Sequence, residues 1–586
     1  MDIPERCRKL APAAALWIMA AAAIFAGLGS YPLSDNNEGL YAAIAAGMLR
    51  TGHFLIPQIA GLPYIEKPPL LYWLMAGSFE LFGQSAWAAR LVPAAAAFAT
   101  CVTLHVFIRR LGLRREANVA VMVFATCAGA IVLAHIVLFD MLLALGLMVA
   151  LAGTCLWYVG RGESKGALRV AAVGLAAAIL TKGLVAAVLL GGTLLVVAWM
   201  EPRGSRGWLR RLADPGAAAL LLVLALPWHV AAAIEQRGFF WFYFINNQVM
   251  RFLGVRRPHD FHEGPWYFYL PLLALSSLPW LFLAPALAVR ARPAVDSRRR
   301  AERFLLVAAA VPLVFFSVSR AKADYYTVVC LPPLAAWFSL RLGRLTETGW
   351  RMLAACAAAT AGVMSGIVAW ACIAAPRLSG RGAVIVAMLR DRPELAVAVT
   401  IGLVVAPLTA CVAVRRRAYL MGLGSFGLQS VIVVLALMML AAGAADQFSD
   451  GPVARAACDA PGRPPLLVFQ TPEAVSAALF YCRSRFQVVD SHSGDLWFAQ
   501  HMHYGAGRIF LDDEQAIRSV GRGRRSLLVP HRDLASFERS PLAAGAAAIV
   551  RAPTATLFSL AARPARLLTA RARTRPAPGG GWPQIR

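Results

Sequence analysis

Arginine recurs in short clusters set between long apolar runs: Arg6, Arg8 and Lys9, then Arg109, Arg110, Arg114 and Arg115, then Arg290, Arg292, Arg298, Arg299 and Arg300, then Arg341 and Arg344, then Arg415, Arg416 and Arg417. An apolar run of about 20 residues spans a bilayer, and loops on the cytoplasmic side keep an excess of Lys and Arg, so these clusters constrain both the class of fold and the side on which each loop lies. The chain has 586 residues, of which 59% are hydrophobic and 15% charged, with a mean hydropathy of +0.60, and no soluble core would absorb that much apolar sequence. The formal net charge of +27 does not point to nucleic acid, because the basic residues lie in loops between apolar runs. The expected fold is a polytopic α-helical membrane protein.

The N-terminal cluster precedes an apolar run over 10–29 with no convincing cleavage site, which reads as an uncleaved anchor with the N-terminus inside. A single span over 88–108 then returns the chain to the Arg109 cluster, leaving 31–87 as a long first outer loop. Within it the apolar stretch 68–82 is about 15 residues, too short to span, and is expected to lie along the interface with Tyr72, Trp73 and Phe79 at headgroup depth. Spans at 117–138 and 141–159 form a hairpin whose outer turn carries Asp140. The stretch 170–200 is basic at both ends and too short for two full spans, so a re-entrant or shortened hairpin places Lys182 at its apex, partway into the membrane, where a lysine must pair or face water. Further spans at 216–234, 265–289, 304–318, 326–340, 351–375, 395–413 and 419–444 bring the expected total to about thirteen. An odd number places the C-terminus outside. After about 445 the apolar runs 466–469 and 486–489 flank a helical stretch over 473–481, the pattern of a small α/β domain. The expected organisation is a membrane domain 1–444, a periplasmic α/β domain 445–570 and a disordered tail 571–586 rich in Arg, Pro and Gly. Cys458 and Cys482 both fall in the oxidising compartment on this scheme and are expected to pair.

All the distinctive polar clusters fall on that outer side: Asp35 to Glu38, Glu66-Lys67, Asp140, the segment from Arg251 to His262, and Lys322 to Tyr326. Carboxylates and imidazoles can ligate a divalent cation, while Lys and Arg neutralise a phosphate. Each member also has a structural role open to it. Asp35 with Glu38 matches a helix capping box, Glu66-Lys67 can form a local ion pair, and Asp140 can cap the helix that follows it. His259 and His262 can be loop histidines, Lys322 can snorkel at a helix end, and Tyr326 can belong to an interfacial belt.

At these residues the chain resembles bacterial lipid-sugar glycosyltransferases of the GT-C superfamily, those like the aminoarabinose transferases that modify lipid A, and more distantly protein O-mannosyltransferases. The resemblance runs through Asn37-Glu38-Gly39-Leu40-Tyr41, Glu66-Lys67-Pro68-Pro69, Ala89-Arg90-Leu91, Phe139-Asp140, Thr181-Lys182-Gly183, Arg251-Phe252, His262 with Pro265-Trp266-Tyr267, and Lys322 with Tyr326. It implies about thirteen spans with a periplasmic α/β domain. It also implies a divalent cation (Zn, Mg or Mn) held by Glu66 and His262, a polyprenyl phosphate contacted by Lys67, and Asp140 and Tyr326 lining the site. The chain departs from the pattern at Asn37, where the family has aspartate; Asp35 lies two residues earlier.

The expected activity is therefore that of an inner-membrane glycosyltransferase moving a sugar from a polyprenyl-phosphate donor to a periplasmic-face acceptor such as lipid A or another cell-envelope glycolipid or glycan. Asp35, Glu38 and Asp140 are the candidate catalytic carboxylates, and Lys67, Lys182, Arg251, Lys322 and Tyr326 the candidate substrate-binding groups. A monomer among membrane lipids, with no nucleic-acid partner, is expected. A lipid flippase with the same charged cavity and a protein O-glycosyltransferase are the rivals, although no second copy of the Glu66-Lys67 loop marks the internal repeat common in transporters. The sidedness is testable by cysteine-accessibility mapping in intact cells: a cysteine at position 520 should be labelled from outside, and one at position 300 should be protected.

Overall fold

The structure, a computed structural model, describes residues 5–356, 419–443 and 465–560 except for short gaps at 36, 161, 203–205, 207, 210–211, 260–261, 289–291, 483–485, 503, 505–506, 521–524 and 553, with isolated residues between 359 and 453. Most of the expected spans at 351–375 and 395–413, the tail 571–586, and Cys458 lie outside the described residues. Cys482 is disulfide-bonded.

The first part of the chain is helical: α1 (Glu5–Phe25), α2 (Asn37–Thr51), α3 (Leu70–Phe82), α4 (Ala86–Arg110), α5 (Arg114–Ala125), α6 (Ala128–Ala134), α7 (Phe139–Val159), α8 (Lys165–Lys182) and α9 (Val185–Met200), followed by Pro215–Glu235, Tyr269–Ser276, Asp296–Val318 and Leu331–Leu342. Ser85 caps α4 by accepting from Ala88 N at 3.1 Å, and Asp214 caps the Pro215 helix by accepting from Ala217 N at 2.9 Å. Among the described residues, α4, α7, Pro215–Glu235 and Asp296–Val318 are long and apolar enough to cross a membrane. Two bent pairs, α5 with α6 at 63° and 266–276 with 280–287 at 91°, raise the number to six if each pair is one span. The chain is a polytopic membrane protein.

Two features of this bundle bear directly on function. Helices α7 and α8 pack at backbone distance through glycine: a Cβ on Gly174 would lie 2.6 Å from Ala150 N, and one on Gly146 would lie 2.9 Å from Ala178 N. The close antiparallel fit brings the first turn of α7, with Asp140, beside the last turn of α8, with Lys182, so a carboxylate and an ammonium each sit at the helix end whose partial charge favours it. Gly183 turns the chain into α9 at φ +81°, where a Cβ would fall 2.7 Å from the Tyr243 hydroxyl and from Gln248 Nε2.

Helix α3 corrects one expectation. Tyr72 and Phe79 are buried in the protein, and Trp73 donates its indole N–H to Phe54 O at 2.8 Å. Leu74, Leu81 and Phe82 are the exposed apolar residues of this helix instead. The sequence is apolar all round here, so its composition alone could not distinguish the face turned to protein from the face turned outward.

Residues 466–560 form a six-stranded mixed sheet with short helices between the strands. Leu466–Phe469 pairs in parallel with Phe486–Val489 on one side and with Arg525–Pro530 on the other, Phe510–Leu511 extends one edge in parallel, and Ala555–Leu560 with Ala546–Arg551 completes the other edge antiparallel. The sheet part docks on α2 through the helix Ser476–Cys482. Gly39 permits the contact, since a Cβ there would lie 2.3 Å from Ala477 N. The Tyr481 hydroxyl oxygen accepts from Leu33 N at 2.9 Å, and Phe480 packs on Phe79 with ring centroids 5.8 Å apart.

The start of α2 is fixed by a fully buried ion pair. Arg90 on α4 donates from Nε to Glu38 Oε1 at 2.9 Å and from Nη2 to Oε2 at 2.8 Å, and its remaining donors reach the carbonyls of Leu28, Tyr31 and Pro32. Glu38 also accepts from Ser34 N, Ser34 Oγ and Val137 N. Burial alone would raise its pKa, but Arg90 and these donors hold it below the usual carboxylate range. Removing one partner of such a pair strands a buried charge, so Arg90→Ala should destabilise the chain by about 3–5 kcal/mol, whereas the double variant Arg90→Leu/Glu38→Leu should lose markedly less. Thermal unfolding in detergent measures both.

Candidate active site between the membrane helices and the sheet

A polar cavity of about 880 Å3 lies where the helical part meets the sheet part. From the helical part it is lined by Asn37, Tyr41, Tyr64, Glu66, Lys67, Asp140, Lys182, Arg251, Arg256, His262, Lys322 and Tyr326, and from the sheet part by Thr471, Glu473, His492, Asp495 and Arg532. A second cavity of about 330 Å3 adjoins it, lined largely by apolar side chains including Val185, Val188, Leu253, Phe315 and Phe316, and it shares Glu66, Lys67, Lys182, Arg251 and Tyr326 with the first. The shared residues form the boundary between a polar chamber and an apolar groove. Leu184, Val188 and Leu253 along the groove are exposed at the protein surface.

Most of the charged groups at this boundary are held in pairs. Lys182 Nζ is 2.5 Å from Asp140 Oδ1 and 4.1 Å from the centroid of the Tyr326 ring, so the ammonium is fixed between a carboxylate and an aromatic face. Arg256, 2% exposed, is paired with Glu66. Lys67 is half-buried, and burial, followed by the charge of Arg251 and lesser contributions from Arg256 and Lys182, lowers its pKa from 10.5 to about 8 against the opposing pull of Glu66.

Seven of the sequence candidates, Glu66, Lys67, Asp140, Lys182, Arg251, His262 and Tyr326, are brought together on this wall. Three others have different roles. Asp35 does not line the polar cavity: its Oδ1 accepts from Ala477 N at 2.8 Å and so joins the first loop to the sheet part. Glu38 is committed to Arg90. Lys322 lines the cavity but donates Nζ to the carbonyls of Phe316, Ser317 and Ser319 at 2.6–3.0 Å, closing the end of helix Asp296–Val318 and leaving no ammonium hydrogen for a ligand. Asn37 faces the cavity and accepts from the Tyr41 hydroxyl at 3.0 Å.

Glu66 and His262, the two residues implied as cation ligands, both line the polar cavity. Glu66 is engaged by Arg256, positive side chains surround it, and among the described residues no group of three or more His, Cys, Asp or Glu side chains is placed to hold a metal ion.

Sequence reading missed Arg256 as the partner of Glu66 and missed every residue contributed by the sheet part. These last come from the loops after the three central parallel strands: Thr471 and Glu473 after Leu466–Phe469, His492 and Asp495 after Phe486–Val489, and Arg532 after Arg525–Pro530. The only signal in the sequence was the strand pattern itself, since open α/β sheets bind ligands at the carboxyl ends of their strands.

A bundle of helices with a polar cavity closed by an α/β sheet is a fold found among solved structures. The fold is shared in particular with ArnT from Cupriavidus metallidurans, solved bound to undecaprenyl phosphate: TM-score 0.76, 21% identity, covering 94% of this chain and 98% of that one. The apo form of the same protein gives 0.75 at 22% identity, covering 94% and 96%. A family model described as dolichyl-phosphate-mannose-protein mannosyltransferase matches residues 34–244. Among curated proteins, the undecaprenyl phosphate-alpha-4-amino-4-deoxy-L-arabinose arabinosyl transferase 2 of Pseudomonas fluorescens (strain Pf0-1) is 31% identical over 319 residues, 53% of this chain and 55% of the relative. The corresponding transferase of Pseudomonas aeruginosa (strain LESB58) is 32% identical over 316 residues, 52% and 55%. The matched region thus spans about half the length of the curated relatives.

The lowered pKa of Lys67 gives the site a pH dependence of defined sign. Between about 8 and 10.5 the unfolded chain carries more protons than the folded one, so Lys67 adds stability to the ligand-free fold as pH rises through that window. Binding of an anionic lipid phosphate requires the ammonium and takes up a proton in the same window. Affinity for such a lipid should fall by roughly tenfold per pH unit above about 8, and Lys67→Arg, whose guanidinium stays protonated, should flatten the profile. Titration of a fluorescent lipid phosphate from pH 7 to 9.5 reads both.

Proposed function

We propose that this chain is a membrane glycosyltransferase that takes a sugar from an undecaprenyl-phosphate donor and transfers it to an acceptor presented at the outer face of the inner membrane, the sugar being 4-amino-4-deoxy-L-arabinose as in the names of its relatives. The observation that carries the reading is the junction of the two cavities at Lys67, Lys182 and Arg251. A lipid phosphate is apolar on one side of its head and anionic at it, and the site matches that division: the isoprenoid enters the groove beside Val188, Leu253 and Phe315, the phosphate meets the cationic boundary, and the sugar projects into the polar chamber.

The chemistry is a displacement at the anomeric carbon. An acceptor oxygen forms the new bond to that carbon as the bond to the lipid phosphate oxygen breaks, and the electron pair leaves with the phosphate. Lys67 and Arg251 stabilise the charge that develops there, and Lys182, held by Asp140 and Tyr326, is already oriented, so little reorganisation accompanies the step. A phosphate acceptor such as those of lipid A enters already ionised and needs no general base, which is compatible with Asn37 at the cavity wall and with Asp35 in a docking role. One displacement inverts the anomeric centre. The N-terminus is cytoplasmic and the sheet part periplasmic in this scheme, with about thirteen spans in all.

Undecaprenyl phosphate binding to the full chain in nanodiscs tests the reading, and absence of binding would reject it. Arg251→Ala should weaken binding roughly ten- to hundredfold, the loss expected for a charge-assisted contact. Val188→Trp, which fills the groove, should weaken the full-length lipid but spare a short-chain prenyl phosphate.

A further inference from the structure

The sheet part meets the cavity with a built edge. Its strand order places Phe486–Val489 and Arg525–Pro530 on opposite sides of Leu466–Phe469, so the chain reverses direction across the sheet at that central strand, and the crevice outside the carboxyl ends of such strands is where open α/β sheets take ligands. In this molecule that crevice faces the chamber. Glu473, from the loop after the central strand, accepts from Ser493 Oγ at 2.7 Å and Gly494 N at 3.3 Å and is balanced by Arg532 at 3.4 Å. It thereby holds the neighbouring loop segment that presents Asp495 to the chamber. Docking of Ala477 on Asp35 and Gly39 fixes the whole edge against α2.

Asp495 is half-buried, on the wall contributed by the sheet part, whereas Lys67, Lys182 and Arg251 are on the helical wall. Burial and then the negative charge of Asp495 push the Tyr64 phenol up. Tyr41 and Phe139, which pack edge to face with centroids 4.8 Å apart, add aromatic faces to the same chamber. A ligand bridging the two walls is anionic at the helical end and best matched at the other by a cation, because a charge-assisted N–H bond to a carboxylate is roughly twice as strong as a neutral one.

Resting on the donor reading above, we infer that Asp495 is the residue that selects an amino-sugar donor, its carboxylate accepting hydrogen bonds from the sugar ammonium while the phosphate is held at Lys67 and Arg251. Glu473 acts through Ser493 and Gly494 and is a positioning residue. The sheet part therefore reads the sugar, and the membrane helices read the lipid phosphate.

The test compares two donors on the full chain in nanodiscs, with lipid A as acceptor: undecaprenyl phosphate-4-amino-4-deoxy-L-arabinose and its 4-hydroxy counterpart, undecaprenyl phosphate-L-arabinose. The native chain should prefer the amino sugar in kcat/KM by roughly ten- to hundredfold. Asp495→Asn should collapse that preference, chiefly by raising KM for the amino sugar, while the 4-hydroxy donor changes by at most a few-fold. Asp495→Lys should reverse the preference, and Glu473→Gln should reduce it with a smaller effect on kcat. Binding of undecaprenyl phosphate itself separates the two levels of inference. If the native chain does not bind it, the donor reading falls and the role of Asp495 falls with it. If it binds and the donor ratio is unchanged in the Asp495 variants, or both donors lose equally, the role of Asp495 alone is overturned.

Discussion

The buried pair of Arg90 with Glu38 is the interaction on which the framework of the site depends. Two charges removed from water are tolerated only where every donor and acceptor is met, and here one guanidinium gathers the carboxylate at the start of α2 and three backbone carbonyls of the first loop, while the carboxylate also takes Val137 N just before α7. Three segments distant in sequence are thereby set in one register. Asn37 and Tyr41 then face the chamber, Asp35 faces the sheet part, and Asp140 follows Val137 into the site.

A second constraint comes from small residues. Glycine contacts between α7 and α8 bring two backbones close enough for Asp140 and Lys182 to meet at 2.5 Å, and Gly39 does the same for α2 and the helix Ser476–Cys482. Within a bilayer there is little hydrophobic drive between helices, so close backbone approach and charge pairing at the helix ends determine which helices are neighbours. The outcome is a site in which Lys182 and Arg256 are each held by a carboxylate, at the boundary of a polar chamber and an apolar groove.

Much of the helical wall was legible in the sequence because charged residues among apolar runs are costly unless they function or pair. Glu66, Lys67, Asp140, Lys182, Arg251, His262 and Tyr326 could be picked out on that ground and do share one cavity. The same logic failed to separate function from architecture where a charge is consumed by the fold. Lys322 closes a helix end, Glu38 anchors α2, and Asp35 serves as a docking acceptor. Glu66 was legible as a site residue, but its partner Arg256, 190 positions away, was not. The sheet-part residues Glu473, His492, Asp495 and Arg532 carry no spacing that sets them apart from surface loop residues, because three separate strand ends must be assembled before they share a wall.

By itself the sequence determined the class of molecule: runs of apolar residues long enough to span a bilayer, arginine clusters between them, and two short alternating runs that became adjacent parallel strands. These are local or periodic signals, set by the solvation cost of each segment taken alone. Only the tertiary structure decided which charges are spent on the fold and which remain for a ligand, and that one cavity is closed by both parts of the chain. Pairing of buried charges is a matter of distance in space, and a carboxylate has the same appearance in sequence whether its partner is a backbone N–H, an arginine or a substrate.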